Sequence, residues 1–200
     1  MTEFDTVSSR NENERIFLLE QLSNSKNYLE FGSGASTLMA LTNPNLSIVS
    51  IDSSQEYIDF LGQKIEVLQL PISKVRFYVA DIGPTGDWGR PLDDSAIAKF
   101  HNYALSAFEF LESIQFSPDL ILIDGRFRVA TFLNTFLNCP GAIVLFEDYY
   151  NRPEYFVVEA LLMPADRCGR IALFQIPVEL EKLQTLRAFN LIQRHLLEVN

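Results

Sequence analysis

Tyr28-Leu29-Glu30-Phe31-Gly32-Ser33-Gly34-Ala35-Ser36-Thr37-Leu38-Met39-Ala40-Leu41 holds an apolar strand, a glycine turn and a helix-like run in direct succession. In a doubly wound sheet a ligand sits beyond the carboxyl ends of the strands, where the first strand passes into the first helix. Glu30 to Thr37 occupies that junction. Gly32 and Gly34 lack a Cβ, which permits positive φ and close ligand approach. The amides that open the next helix have no intrahelical acceptor. A polar, adenosine-type ligand is the expectation.

The same strand-to-helix logic repeats outward from this unit. Strands are predicted at Leu46 to Ile51, Val75 to Ala80, Leu120 to Ile123 and, after Gly141, Ala142 to Phe146, with a helix from about Ser54 to Leu70. Near-continuous Ile, Leu and Val strands between amphipathic helices suit a parallel sheet buried on both faces. The glycine- and proline-rich stretch Asp81 to Asp94 reads as an ordered loop, followed by a helix from Ser95 to about Phe116. Beyond a helix around Glu154 to Leu162, Ala165 to Cys168 and Ile171 to Ile176 flank Gly169-Arg170 as an antiparallel hairpin. The expected class is α/β: a doubly wound, mostly parallel sheet of about seven strands, with helices on both faces and a C-terminal hairpin.

At the amino end, Ser9-Arg10-Asn11-Glu12 has the form of a capping box, and Ile16, Phe17, Leu19 and Leu22 follow at helical spacing. Leu180, Leu183, Leu186, Leu191 and Leu196 mark a terminal helix, whose apolar stripe is also a possible homodimer contact. No repeat or linker divides the chain. It reads as one domain over residues 1–200, with 1–26 an N-terminal helix region and 178–200 a C-terminal helix.

A formal charge of -10 and a pI near 4.6 argue against nucleic acid and anionic membranes, which are bound through clustered Lys and Arg. Neither a signal-like start nor a span of about 20 apolar residues is present, so the expectation is a cytoplasmic protein acting on a small molecule. Cys139 and Cys168 lack C-x-x-C spacing and read as two buried thiols. His101 and His195 read as structural. Hydrolase and P-loop signatures are absent.

A dinucleotide fingerprint would place a third glycine where this chain has Thr37. Asp52, at the end of the second strand about 20 residues beyond the glycines, can accept hydrogen bonds from ribose hydroxyls. The segment Glu30-Phe31-Gly32-Ser33-Gly34 resembles the first motif of the class I S-adenosylmethionine-dependent methyltransferases, which has an acid two residues before a G-x-G turn. The resemblance covers about residues 25 to 177. It implies a Rossmann-like fold and S-adenosylmethionine as cofactor, with Glu30, Gly32, Ser33, Gly34 and Asp52 around it. It also implies Asp81 and Ile82 against its adenine.

Asp124 follows the fourth strand and Glu147-Asp148 the fifth, so these carboxylates should meet at the rim of one cleft. Asp124 and Asp148 are the candidate catalytic residues, Asp148 as a general base or as an orienter of the acceptor. In the catechol O-methyltransferase-like branch the corresponding strand ends ligate magnesium, whereas Arg126, Arg128 and Arg152 nearby offer salt bridges instead. The reading adopted assigns no metal. Cations and aromatics in Gly125 to Arg128 and Tyr149 to Pro153 suit an anionic or sugar-like acceptor, and Trp88 is either a lid residue or a loop anchor. No Asn/Asp-Pro-Pro-Tyr/Phe motif follows the fourth strand, so oxygen is the expected methyl acceptor. A non-catalytic scaffold and, less well supported, a nicotinamide-dependent reductase are the competing readings.

Overall fold

A computed structural model describes residues 10–198. It contains six α-helices, α1 (Glu12–Ser23), α2 (Ala35–Leu41), α3 (Gln55–Val67), α4 (Asn102–Ser113), α5 (Arg128–Asn138) and α6 (Lys182–His195). The strands are β1 (Asn27–Phe31), β2 (Ser47–Asp52), β3 (Val75–Val79), β4 (Leu120–Ile123), β5 (Ile143–Phe146), β6 (Asp166–Cys168) and β7 (Ile171–Gln175). They form one seven-stranded sheet in the order β3-β2-β1-β4-β5-β7-β6. The first five run parallel, and β7 is antiparallel to both β5 and β6. Strand order reverses between β1 and β4, which is where a doubly wound sheet opens a ligand crevice.

Alternation along the strands builds two cores. Leu29, Phe31, Val49, Ile51, Ile121, Ile123, Val144 and Phe146 face one way, toward α4, α5 and α6. Tyr28, Ile48, Leu120, Leu122 and Leu145 face the other, toward α1, α2 and α3. Each such side chain, fully buried, contributes about 1.5–3 kcal/mol of transfer free energy. Register then sets the site. Phe31 pairs with Ile51 and Ile123, and Ile123 with Phe146. The chain therefore leaves the sheet along one edge at Gly32, Asp52, Asp124 and Glu147.

Several elements depart from the sequence reading. The capping box lies at Asn11 and Glu14: the Asn11 side chain accepts from the Glu14 amide and Glu14 from the Asn11 amide, both at 3.0 Å. Ser9 lies outside the described residues. α1 buries Glu14, Leu18 and Leu22 and packs Phe17 partly against the second core, while Ile16 and Leu19 are exposed, so the apolar positions read from sequence straddle the buried and exposed faces. The expected helix from Ser95 splits into a 3-10 segment, Asp94–Lys99, and α4, while the Glu154 region is 3-10 over Pro153–Ala160.

α5 went unread, although Val129, Phe132, Leu133 and Phe136 recur at helical spacing. Arg128, Thr131, Asn134, Thr135 and Asn138 form the opposite, polar stripe, yet Arg128 through Phe136 are all buried. α6 packs Ala188, Leu191 and Ile192 into the first core and leaves Leu183, Leu186 and Phe189 exposed. Cys139 is buried but Cys168 only partly so, and both are free thiols. Among the described residues no helix is long and apolar enough to cross a membrane.

Candidate functional site

The glycine turn is held from beneath by a buried carboxylate. Glu30 points into the second core, where Tyr28, Ser50 and Thr37 donate hydroxyl hydrogen bonds to it, the first two at 3.0 and 2.7 Å. Thr37 in turn accepts the Gly34 amide at 2.9 Å, and the Ser50 hydroxyl meets that of Ser33 at 2.6 Å. Burial pushes the Glu30 carboxyl above its ordinary range, against the pull of these hydroxyls. Thr37, which the sequence reading treated as a missing glycine, is thus the link between Glu30 and the turn.

The two glycines do different work. Gly32 has φ +97°, and a Cβ there would lie 2.7 Å from the Gly125 amide nitrogen, so its bare backbone is required by the loop after β4. A Cβ at Gly34 would meet only the Tyr57 hydroxyl, at 3.4 Å. Gly34 is therefore the position that keeps room for a ligand, and Gly32 the one that lets the two loops interlock.

Asp52 closes the turn from the side. Its carboxylate accepts from the amides of Ser33 at 3.0 Å, Ser53 at 2.8 Å and Ser54 at 3.0 Å. Burial raises its pKa, with these amides opposing. The Ser53 hydroxyl donates to the Gly89 carbonyl at 2.9 Å, pinning the loop after β3 beside Asp52. In that loop Trp88 has left-handed φ of 61° and a side chain 87% exposed, while Arg126 Nε donates to its carbonyl at 2.9 Å. Its main chain is anchored and its indole stands free at the mouth.

These groups surround a cavity of about 810 Å³, whose wall includes Ser33, Gly34, Asp52, Tyr57, Trp88 and Arg126. That volume is in the range of small-molecule sites. An open cradle at Gly34 beside an acid and several hydroxyls fits a nucleoside carrying a ribose.

The far wall is ionic. Arg10 donates to Asp124 at 2.8 Å and to Glu147 at 2.9 Å. Arg128 reaches Asp124 at 3.1 Å and Asp148 at 3.0 Å, and Arg170 reaches Glu147 at 3.1 Å and Asp148 at 3.3 Å. Glu147 is 1% exposed. Burial pushes its carboxyl up to about 7 and Asp124 adds repulsion, while Arg10 and Arg170 pull it down. These carboxylates do not suit a magnesium ion, because the guanidinium groups of Arg10, Arg128 and Arg170 already balance their charge and would repel a further cation. Among the described residues no cluster of three His, Cys, Asp or Glu side chains is arranged to hold a metal.

Of the residues singled out by sequence, Gly32, Ser33, Gly34, Asp52, Asp124 and Asp148 meet on the cavity wall. Glu30 lies beneath it. Ile82 is fully buried in the first core, and Asp81 lies off the wall, ion-paired with Lys99 at 2.7 Å. Arg10, Tyr57 and Tyr103 are wall residues that the sequence reading passed over. Arg10 gave no signal because only tertiary folding brings it to β4 and β5. The expected partners of the acids were right only for Arg128: Arg126 holds Trp88, and Arg152 lies 5.8 Å from the Tyr155 ring centre.

No family model and no curated protein matches the chain. Among solved structures, a methyltransferase-like protein from Silicibacter pomeroyi superposes with a TM-score of 0.84 at 28% identity, covering 96% of this chain and 97% of that one. An RNA methyltransferase from Salinibacter ruber in complex with S-adenosyl-L-homocysteine gives a TM-score of 0.53 at 12% identity, covering 88% of this chain and 97% of that one. An O-methyltransferase family protein from Burkholderia thailandensis gives 0.53 at 13%, covering 81% and 55%. The switch-point cavity, the strand order and these likenesses agree on a Rossmann-like fold similar to that of solved methyltransferases.

Proposed function

We propose that the protein transfers a methyl group from S-adenosylmethionine to an oxygen of a small polar acceptor. The observation that carries this reading is a single cavity in which Gly34, Ser33 and Asp52 share a wall with Asp124 and Asp148. S-adenosylmethionine, when bound, supplies an activated methyl group on a sulfonium. Methyl transfer of this kind asks the protein chiefly for alignment, with proton removal added for a hydroxyl acceptor.

In this reading Asp52 takes the ribose hydroxyls, and Gly32, Ser33 and Gly34 form the cradle. Glu30 acts from below, through Thr37 and Ser50. Asp81 and Ile82 lie off the wall, so Tyr57 and Trp88 are the aromatic surfaces offered to the adenine. Asp124 and Asp148 orient the acceptor and receive its proton, using oxygen lone pairs that their arginines leave free. A net charge of -10 favours a small acceptor over RNA.

Calorimetry with S-adenosylmethionine, S-adenosylhomocysteine and NAD tests the reading. Both adenosyl ligands are expected to bind the wild type. Asp52→Ala should weaken them at least tenfold, since a hydrogen bond to a charged group contributes about 1.5–3 kcal/mol. Asp52→Asn, which keeps an oxygen for the turn amides, separates ribose binding from support of the turn. Binding of NAD without either adenosyl ligand would sink the proposal.

A further inference from the structure

Four arginines line or adjoin the ionic wall, and three of them are neutralised. Arg10, Arg128 and Arg170 each reach at least two carboxylates. Arg126 differs. It lines the cavity, its Nε is committed to the Trp88 carbonyl, and no carboxylate among the described residues pairs with its guanidinium. Burial, with Arg90, Arg128 and Arg152 nearby, disfavours its charge and holds its pKa below the ordinary arginine range. Asp52 attracts it across the cavity without pairing directly, and a half-buried cation beside three others is still costly in a protein. In a chain this acidic, sequence composition does not force that arrangement.

We propose that Arg126 is the docking point for a carboxylate on a molecule bound in the cleft. The Nε bond to Trp88 fixes the guanidinium plane and leaves the two Nη groups as a fork, the geometry that matches a carboxylate in two parallel hydrogen bonds. The carboxylate has two possible sources. One is the amino-acid end of an adenosylmethionine-type ligand, which rests on the methyltransferase reading; the other is a carboxylated acceptor.

The sources are separated by calorimetry on wild type, Arg126→Gln and Arg126→Lys. The probes are S-adenosylhomocysteine, methylthioadenosine, which lacks the amino-acid group, and 4-hydroxybenzoate. If the carboxylate is the cofactor's, Arg126→Gln loses at least tenfold of the affinity for S-adenosylhomocysteine, leaves methylthioadenosine within twofold, and Arg126→Lys recovers most of the loss. If it is the acceptor's, both adenosyl ligands are unaffected and 4-hydroxybenzoate affinity falls at least tenfold in Arg126→Gln.

An equal loss for both adenosyl ligands would reduce Arg126 to a holder of Trp88 and overturn the proposal. So would three affinities that all stay within twofold. Wild-type protein that binds neither adenosyl ligand defeats the methyltransferase reading instead. Arg126 then stands if 4-hydroxybenzoate binding depends on it, and falls if it does not.

Discussion

Two buried glutamates sit at opposite sides of the same cleft and are solvated in opposite ways. Glu30, at the end of β1, is surrounded by the hydroxyls of Tyr28, Thr37 and Ser50. Glu147, just beyond β5, is gripped by Arg10 and Arg170. Neutral donors let Glu30 hold the turn whichever way its own charge lies, because a hydroxyl both donates and accepts. Guanidinium partners give Glu147 no such freedom, since removing either charge strands the other in a desolvated place. One side of the cleft is therefore built from exchangeable polar contacts and the other from a charge balance that must be kept whole.

The comparison breaks first at Glu147. Glu147→Ala leaves Arg10, 4% exposed at its side chain, with Asp124 alone among the acids described here. The expected loss is about 3–5 kcal/mol, read from urea denaturation. Glu30→Gln should cost less, about 1–2 kcal/mol, because the hydroxyls around it can turn to serve an amide. Equal costs for the two variants would erase the distinction between the walls.

The smallest effect is the most diagnostic. Burial raises the folded-state pKa of Glu30 above its unfolded value, so the folded state holds its proton longer than the unfolded chain does. Wild-type stability from this group is complete below the unfolded pKa and declines as pH rises toward the folded one. Glu30→Gln lacks that decline, so its cost should shrink between pH 5 and pH 8 in denaturation series. A cost that grows over that range would mean the carboxylate is favoured in its charged form.

How much of this was legible depended on how local the signal was. β1, the G-x-G turn and Asp52 lie within one contiguous strand-helix-strand stretch, and their placement on the cavity follows from period, glycine position and strand-end position. The hairpin β6 and β7 was equally plain from Gly169-Arg170. α5 was passed over although its sequence is amphipathic, with Val129, Phe132, Leu133 and Phe136 opposite Arg128, Thr131, Asn134 and Asn138; what the sequence did not show is that this polar stripe is buried as well. Arg10 was hidden for another reason: it contacts Asp124 and Glu147 from 114 and 137 residues away, a distance that no spacing rule spans. Asp81 was placed correctly at a strand end, yet β3 is the outermost strand on its side of the sheet, and Asp81 turns to Lys99 in the following 3-10 segment.

The interlock of Gly32 with Gly125 bears on how the protein acquires its site during folding. The two residues come from different halves of the chain and touch only after β4 has inserted beside β1, which requires closing a long loop before any contact offsets its entropy. The floor of the cleft is thus a late product of a non-local event. A nascent chain that has made only the first three strands carries the glycine turn without the surface against which it is set. Ligand affinity in this protein is then a readout of a completed central sheet, and a bound ligand should in turn stabilise that pairing by mass action.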